Sequence, residues 1–94
     1  MARIGLTRHL TIPEHVVHQK VDEEMVLLNL ETGVYHGLDK VGSRFWELLL
    51  GQQSLQRVFD QMLAEYTVSP EKLEEDLLRL VRELETQKLI CVAG

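Results

Sequence analysis

Between Glu24 and Leu50 the hydrophobic pattern changes period with no linker in between. Met25 to Leu30 reads as a continuous apolar run, Glu31-Thr32-Gly33 interrupts it, and Val41, Phe45, Leu48 and Leu49 then recur on one helix face. The first run is too short for an independent helix. Gly33 can take the left-handed conformation that a tight reversal needs. The chain is therefore expected to double back as a hairpin, with a strand over residues 34 to 37 or 38, and to enter a helix capped by Asp39 and ended by Gly51.

The flanks extend this pattern. Val16-Val17-His18-Gln19-Lys20-Val21 is rich in β-branched residues and runs into Asp22-Glu23, which suits a turn. It supplies a strand ahead of the hairpin. Residues 1–13, with Arg3, Arg8, His9 and a proline, show no sustained period and read as a flexible arm before a single domain over residues 14–92. After the first helix, Leu55, Val58, Phe59, Met62, Leu63 and Tyr66 form a second helical stripe behind Ser54, a good N-cap. A third helix has clear punctuation: Ser69 as cap, Pro70 at the first helical position and Glu71 near the positive end of the dipole. Its stripe is Leu73, Leu77, Leu80, Val81 and Leu84, closed by Thr86-Gln87-Lys88. The apolar tail Leu89-Ile90-Cys91-Val92 is expected to return against the core.

Strands first and helices afterwards imply an α+β domain, a three-stranded antiparallel meander followed by a three-helix bundle, winged helix-turn-helix-like in order. The middle strand has partners on both sides. The first and third keep open edges unless the arm or the tail covers one.

Ninety-four residues, 45% of them hydrophobic, suffice for one core. Phe45, Trp46, Phe59, Tyr35 and Tyr66 are its expected large anchors. Cys91, the single cysteine, can form no internal disulfide and reads as a small buried hydrophobe in a reduced, cytoplasmic setting. A net charge of -5 disfavours nonspecific attraction to nucleic acid or to an anionic membrane. No segment has the apolar length to span a bilayer.

Chemistry is hard to place on this chain. His15 and His18 would point to opposite faces of a strand, and neither His9 nor His36 has a partner at ligand spacing, so no metal is expected. Gly33, Gly37, Gly42 and Gly51 are dispersed and build no phosphate loop. A DNA-reading helix needs basic and amide side chains, whereas residues 71–88 carry six acidic and four basic groups. Without a catalytic constellation or a cofactor motif, a strand edge beside a helix is the best candidate for function. Such an edge can take up an extended peptide as an added strand.

Two stretches then point to a family. Val-Leu-Leu-Asn-Leu-Glu-Thr-Gly-Val-Tyr-His-Gly-Leu-Asp-Lys-Val-Gly-Ser-Arg-Phe-Trp-Glu-Leu-Leu from Val26, and Leu-Glu-Glu-Asp-Leu-Leu-Arg-Leu-Val-Arg-Glu-Leu-Glu-Thr-Gln-Lys-Leu-Ile from Leu73, resemble the PqqD-like family. Its members are small domains that recognise leader peptides of ribosomally made, post-translationally modified peptides. The resemblance covers residues 14–90. It implies a non-catalytic escort without a cofactor, a monomer or weak dimer, whose partners are a precursor leader peptide and a maturation enzyme such as a leader peptidase. Lasso-peptide maturation is the pathway expected first, with a radical-enzyme or quinone-cofactor pathway as the alternative and a winged-helix DNA-binding regulator outside the class.

Carried over by position, the resemblance makes Val34, Tyr35 and His36 the docking edge. It sets Asp76, Arg79, Leu80 and Glu83 along the facing wall of the third helix, with Leu80 able to serve as core instead. One departure stands out: the family commonly has glycine where this chain has Lys88, which changes how the helix can end.

Overall fold

A computed structural model describes residues 8–51 and 53–93. Five strands and three helices follow one another as β1 His9–Thr11, β2 Val16–Val21, β3 Glu24–Asn29, β4 Val34–Gly37, α1 Lys40–Gly51, α2 Leu55–Glu65, α3 Pro70–Thr86 and β5 Cys91–Ala93. The expected meander is the antiparallel sheet β2-β3-β4. Its register pairs His18 with Leu27 and Leu27 with His36. Asp22, at φ 58, makes the first central residue of the two-residue β2–β3 turn.

Alternation decides which face of the sheet is buried. Met25, Leu27 and Asn29 of β3 are buried, and Val26 and Leu28 are half-buried on the opposite face. On that outer face Val17, Leu28 and Tyr35 form one cross-strand row. Tyr35 is accordingly 69% exposed, and it is not the packing anchor expected from its size. The inner face receives α1, whose Phe45, Trp46 and Leu49 are buried, while α2 and α3 close the core with Leu55, Val58, Phe59, Met62, Leu73, Leu77, Val81 and Leu84. Ser54 and Ser69 cap their helices as the sequence predicts, accepting from the amides of Arg57 and Lys72.

The termini depart from expectation in an instructive way. Among the described residues neither terminal segment pairs with an edge of the meander; the two pair with each other, β1 antiparallel to β5, with Leu10 opposite Val92. Leu10 is fully buried, which stabilises the domain by about 1.5–3 kcal/mol. Its amide donates to the Gln53 carbonyl, and the Leu55 amide donates to the Arg8 carbonyl. The packed domain thus begins before Glu14, and the flexible arm expected over residues 1–13 does not extend to His9–Thr11; residues 1–7 of that arm, with Arg3, lie outside the described residues. A three-residue strand with one buried side chain carries no period, and its partner lies at the far end of the sequence. The same alternation turns Val92 inward and leaves Cys91 exposed, so Cys91 is not the buried hydrophobe expected from its apolar neighbours.

An edge strand and the groove beside it

The β4 strand is shaped from both ends. At its start Asn29, 1% exposed, accepts from the amides of Glu31 and Thr32 through Oδ1, at 2.9 and 3.2 Å. That contact folds the loop locally. Gly33 then takes φ 74, with its amide donating to the Asn29 carbonyl. At the far end the Leu38 amide donates to the Met25 carbonyl at 2.8 Å, while the reciprocal bond is replaced by a side chain. The Met25 amide donates to Ser43 Oγ at 2.7 Å, and Ser43 Oγ donates onward to the Leu38 carbonyl at 3.2 Å. Ser43 of α1 is thereby spliced into the β3–β4 ladder.

The Leu38–Met25 bond fixes the phase of that ladder. In an antiparallel pair, hydrogen-bonded positions alternate, so His36 faces Leu27 and the main-chain groups of Tyr35 and Gly37 point away from β3. No strand pairs with this side of β4 among the described residues. Of the three expected docking residues, Tyr35 lies with its amide and carbonyl on the open edge. Val34 and His36 alternate with it and face β3, although the Val34 amide also donates to Thr32 Oγ1 at 3.2 Å and its side chain is exposed. Gly37, which the sequence reading did not single out as a contact, supplies the second open pair.

Directly after β4, the start of α1 faces α3 across a groove of about 420 Å³. It is lined by Asp39, Val41, Gly42, Lys72, Asp76, Leu77, Arg79, Leu80 and Glu83. All four expected α3 residues therefore share one surface. Leu80 is half-buried and packs on the core, so it is both wall and core. Val34, Tyr35 and His36 lie on the adjoining strand and not in the groove lining.

The groove walls are charged but largely self-paired. Asp76 meets Lys72 Nζ at 3.2 Å and Arg79 at 3.5 Å, and Arg79 also reaches Glu75 at 3.6 Å. Asp39 Oδ1 accepts from the Gly42 amide at 2.8 Å, the expected cap. A Cβ on Gly42 would come within 3.3 Å of Leu38 Cβ, so a small residue lets α1 start this close to the end of β4. Val41, Gly42, Lys72 and Leu77 were not expected in the lining. Their signal in the sequence was indirect: a helix that starts two residues after an edge strand must bring its first turn beside that edge.

A meander whose last strand keeps an open edge, followed by three helices of which one walls a groove, defines a small α+β domain of the PqqD-like class. The chain matches the family of Coenzyme PQQ synthesis protein D (PqqD) over residues 24–90, and it belongs to that family. Among solved structures it is similar to TbiB1 in complex with the TbiA(beta) leader peptide, with 41% identity and a TM-score of 0.81, covering 85% of this chain and 93% of that one. It also shares the fold of lasso peptide synthetase B1 complexed with the leader peptide, at 24% identity and a TM-score of 0.79, covering 88% of this chain and 98% of that one. No curated protein matches.

Proposed function

We propose that this protein is a non-catalytic recognition element that binds the leader of a ribosomally made precursor and delivers it to a maturation enzyme. The leader adds as a strand on β4, engaging the outward main-chain groups of Tyr35 and Gly37. Its inward side chains enter the groove walled by α3 and the start of α1, where Asp76, Arg79, Leu80 and Glu83 contact it. The observation that carries this reading is the 41% identity to TbiB1, a protein solved with a leader peptide, in a chain whose β4 edge is open. Lasso-peptide maturation is the pathway that the sequence resemblance implies first, with a leader peptidase as the receiving enzyme. A second reading, service to a quinone-cofactor pathway, is favoured by the family's own description.

Among the described residues no helix is long and apolar enough to cross a membrane. We infer a cytoplasmic escort, monomeric or weakly dimeric.

Titration of the protein with labelled TbiA(beta) leader peptide, and in parallel with a scrambled peptide of the same composition, tests the proposal. Micromolar or tighter binding of the leader alone is expected, and a single proline in the added strand should weaken it by removing a ladder donor. Equal affinity for the scrambled peptide sinks the proposal. Turnover of a precursor by this chain alone would overturn its non-catalytic character.

A further inference from the structure

Among the described residues two polar side chains are buried, Asn29 at 1% and Ser43 at 2% exposure, and they sit at opposite ends of β4. Each joins the strand to a different helix. Ser43 splices the end of β4 to α1, as described above. Asn29 does the same at the other end with both halves of its amide. Its Oδ1 holds the loop that leads into β4, while its Nδ2 donates to the carbonyls of Gln87 and Lys88 at 3.4 and 3.5 Å, just beyond the end of α3.

The Lys88 carbonyl is a point of convergence. It also lies 3.2 Å from His15 Nε2, and His15 Nδ1 lies 3.6 Å from Glu31 in the same loop. Two side chains from separate parts of the chain thus bridge the loop before β4 to Lys88, two residues beyond α3. Lys88 takes φ 60 there. Its amide donates to Glu85 and that of Leu89 to Leu84, the Schellman pattern, with buried Leu84 and Leu89 as its apolar pair.

We propose that Asn29 and Ser43 are positioning residues for peptide binding, which hold the β4 edge at a fixed spacing from the α3 wall before the peptide arrives. The inference rests on the leader-binding reading and adds to it the residues that preorganise the site without touching the ligand. Buried polar groups that find partners on both of the elements they join favour one arrangement of those elements. The β4 edge and the α3 wall of the neighbouring groove share no continuous backbone, so the cross-links at the two ends of β4 help set the spacing between them. Preorganisation of this kind raises affinity by removing the ordering cost from the binding step.

The experiment compares three variants with the wild type, measuring anisotropy of labelled TbiA(beta) leader peptide alongside thermal unfolding. Asn29→Asp keeps the Oδ1 acceptor of the loop but turns a carboxylate oxygen toward the Gln87 and Lys88 carbonyls, which breaks the helix tie alone. Ser43→Ala removes the ladder splice at the other end and serves as the second variant should a buried carboxylate prevent folding. Met62→Ala, in the buried face of α2 and away from the groove, is the control for lost stability.

At a temperature where every variant is folded, Asn29→Asp and Ser43→Ala should each weaken the leader by about tenfold, while Met62→Ala stays within about twofold of wild type. Affinity within about twofold of wild type for both Asn29→Asp and Ser43→Ala overturns the proposal, as does an equal loss in Met62→Ala. Should the wild type itself fail to bind the leader, the parent reading falls and takes this one with it. Wild-type binding with unaffected variants removes only the inference.

Discussion

Among the described residues the meander has two open edges, and they are built differently. The β2 edge is the longer, six residues of which five are exposed, and it carries Lys20. A lysine on an edge strand is a common guard against pairing with another chain. Its flank is closed by ion pairs: Lys20 with Glu47 at 3.0 Å, Glu47 with Arg44, and Arg44 with Glu65 in a two-pronged contact at 2.6 and 2.8 Å. The β4 edge is four residues long, is pinned by buried Asn29 and Ser43 at its ends, and has a groove beside it. An open ladder alone does not make a binding site. On the proposed reading, what distinguishes β4 is the helix-lined groove beside it, where side chains of an added strand are read while its backbone pairs.

The largest expected effect separates the two edges directly. Tyr35→Pro removes a donor from the open side of β4 without deleting a bond to β3, and it should weaken the leader peptide by tenfold or more, on the order of 1.5 kcal/mol of binding. The equivalent change on the other edge, Lys20→Pro, should leave affinity within about twofold. Anisotropy titrations of both variants, with circular dichroism to verify the fold, measure this contrast. Similar losses at the two edges would mean that β4 is not the docking strand.

Next in size is the wall. Leu80→Asp places a charge on half-buried groove surface beside Asp76 and Glu83, and should reduce affinity by about tenfold for an apolar leader side chain. Reversing the charge at Glu47, which borders only the β2 flank, should not. A Leu80→Asp variant that binds normally would confine recognition to the backbone edge.

The β2 flank should reveal itself in stability and not in binding. Hydrogen bonds from Arg44, and then from Gln61, hold the Glu65 carboxyl down at about 2, against an ordinary value of 4.5. Because the folded value is the lower one, the stabilisation is complete above pH 4.5 and is lost as pH falls from there through about 2. Glu47, lowered by hydrogen bonds from Lys20 and then Arg44, shifts in the same direction. With both partners partly exposed, water screens the Arg44–Glu65 pair, and its contribution is held under about 1 kcal/mol. Glu65→Gln should flatten the acid limb of a stability-against-pH curve without altering leader affinity at neutral pH. An unchanged acid limb would show that the pair does not stabilise the fold.

Legibility in the sequence followed the range of the interactions. The hairpin, the caps Asp39, Ser54 and Ser69, and the three helical stripes are local, and the structure has them where the pattern predicts. The pairing of His9–Thr11 with Cys91–Ala93 is not local, since neither segment is long enough to show a period and each is ordered by the other. Tyr35 was misjudged because size argues for burial while the phase of a four-residue strand argues for exposure, and phase prevails. Of the site, the α3 wall was legible through the family pattern. The start of α1 and the outward main chain of Gly37 were not, because they follow from the spacing between elements and from the phase of a ladder. Asn29 reads as part of an apolar run; its contacts appear only when the loop and the end of α3 are placed side by side.

The smallest effect compares the two non-glycine residues in left-handed conformation among the described residues. Asp22, at φ 58, turns β2 into β3, and Lys88, at φ 60, ends α3. Aspartate enters this region more readily than lysine because its short polar side chain bonds locally. Relief of strain by glycine is partly offset by the greater freedom it gives the unfolded chain. Lys88→Gly should therefore stabilise by about 0.5–1 kcal/mol and Asp22→Gly by only a few tenths, read from urea midpoints. The carbonyl that His15 and Asn29 share belongs to the main chain, so Lys88→Gly retains it and should leave leader affinity unchanged. A loss of affinity in Lys88→Gly without a loss of stability would place the lysine side chain itself in contact with the peptide and extend the β4 site to the end of α3.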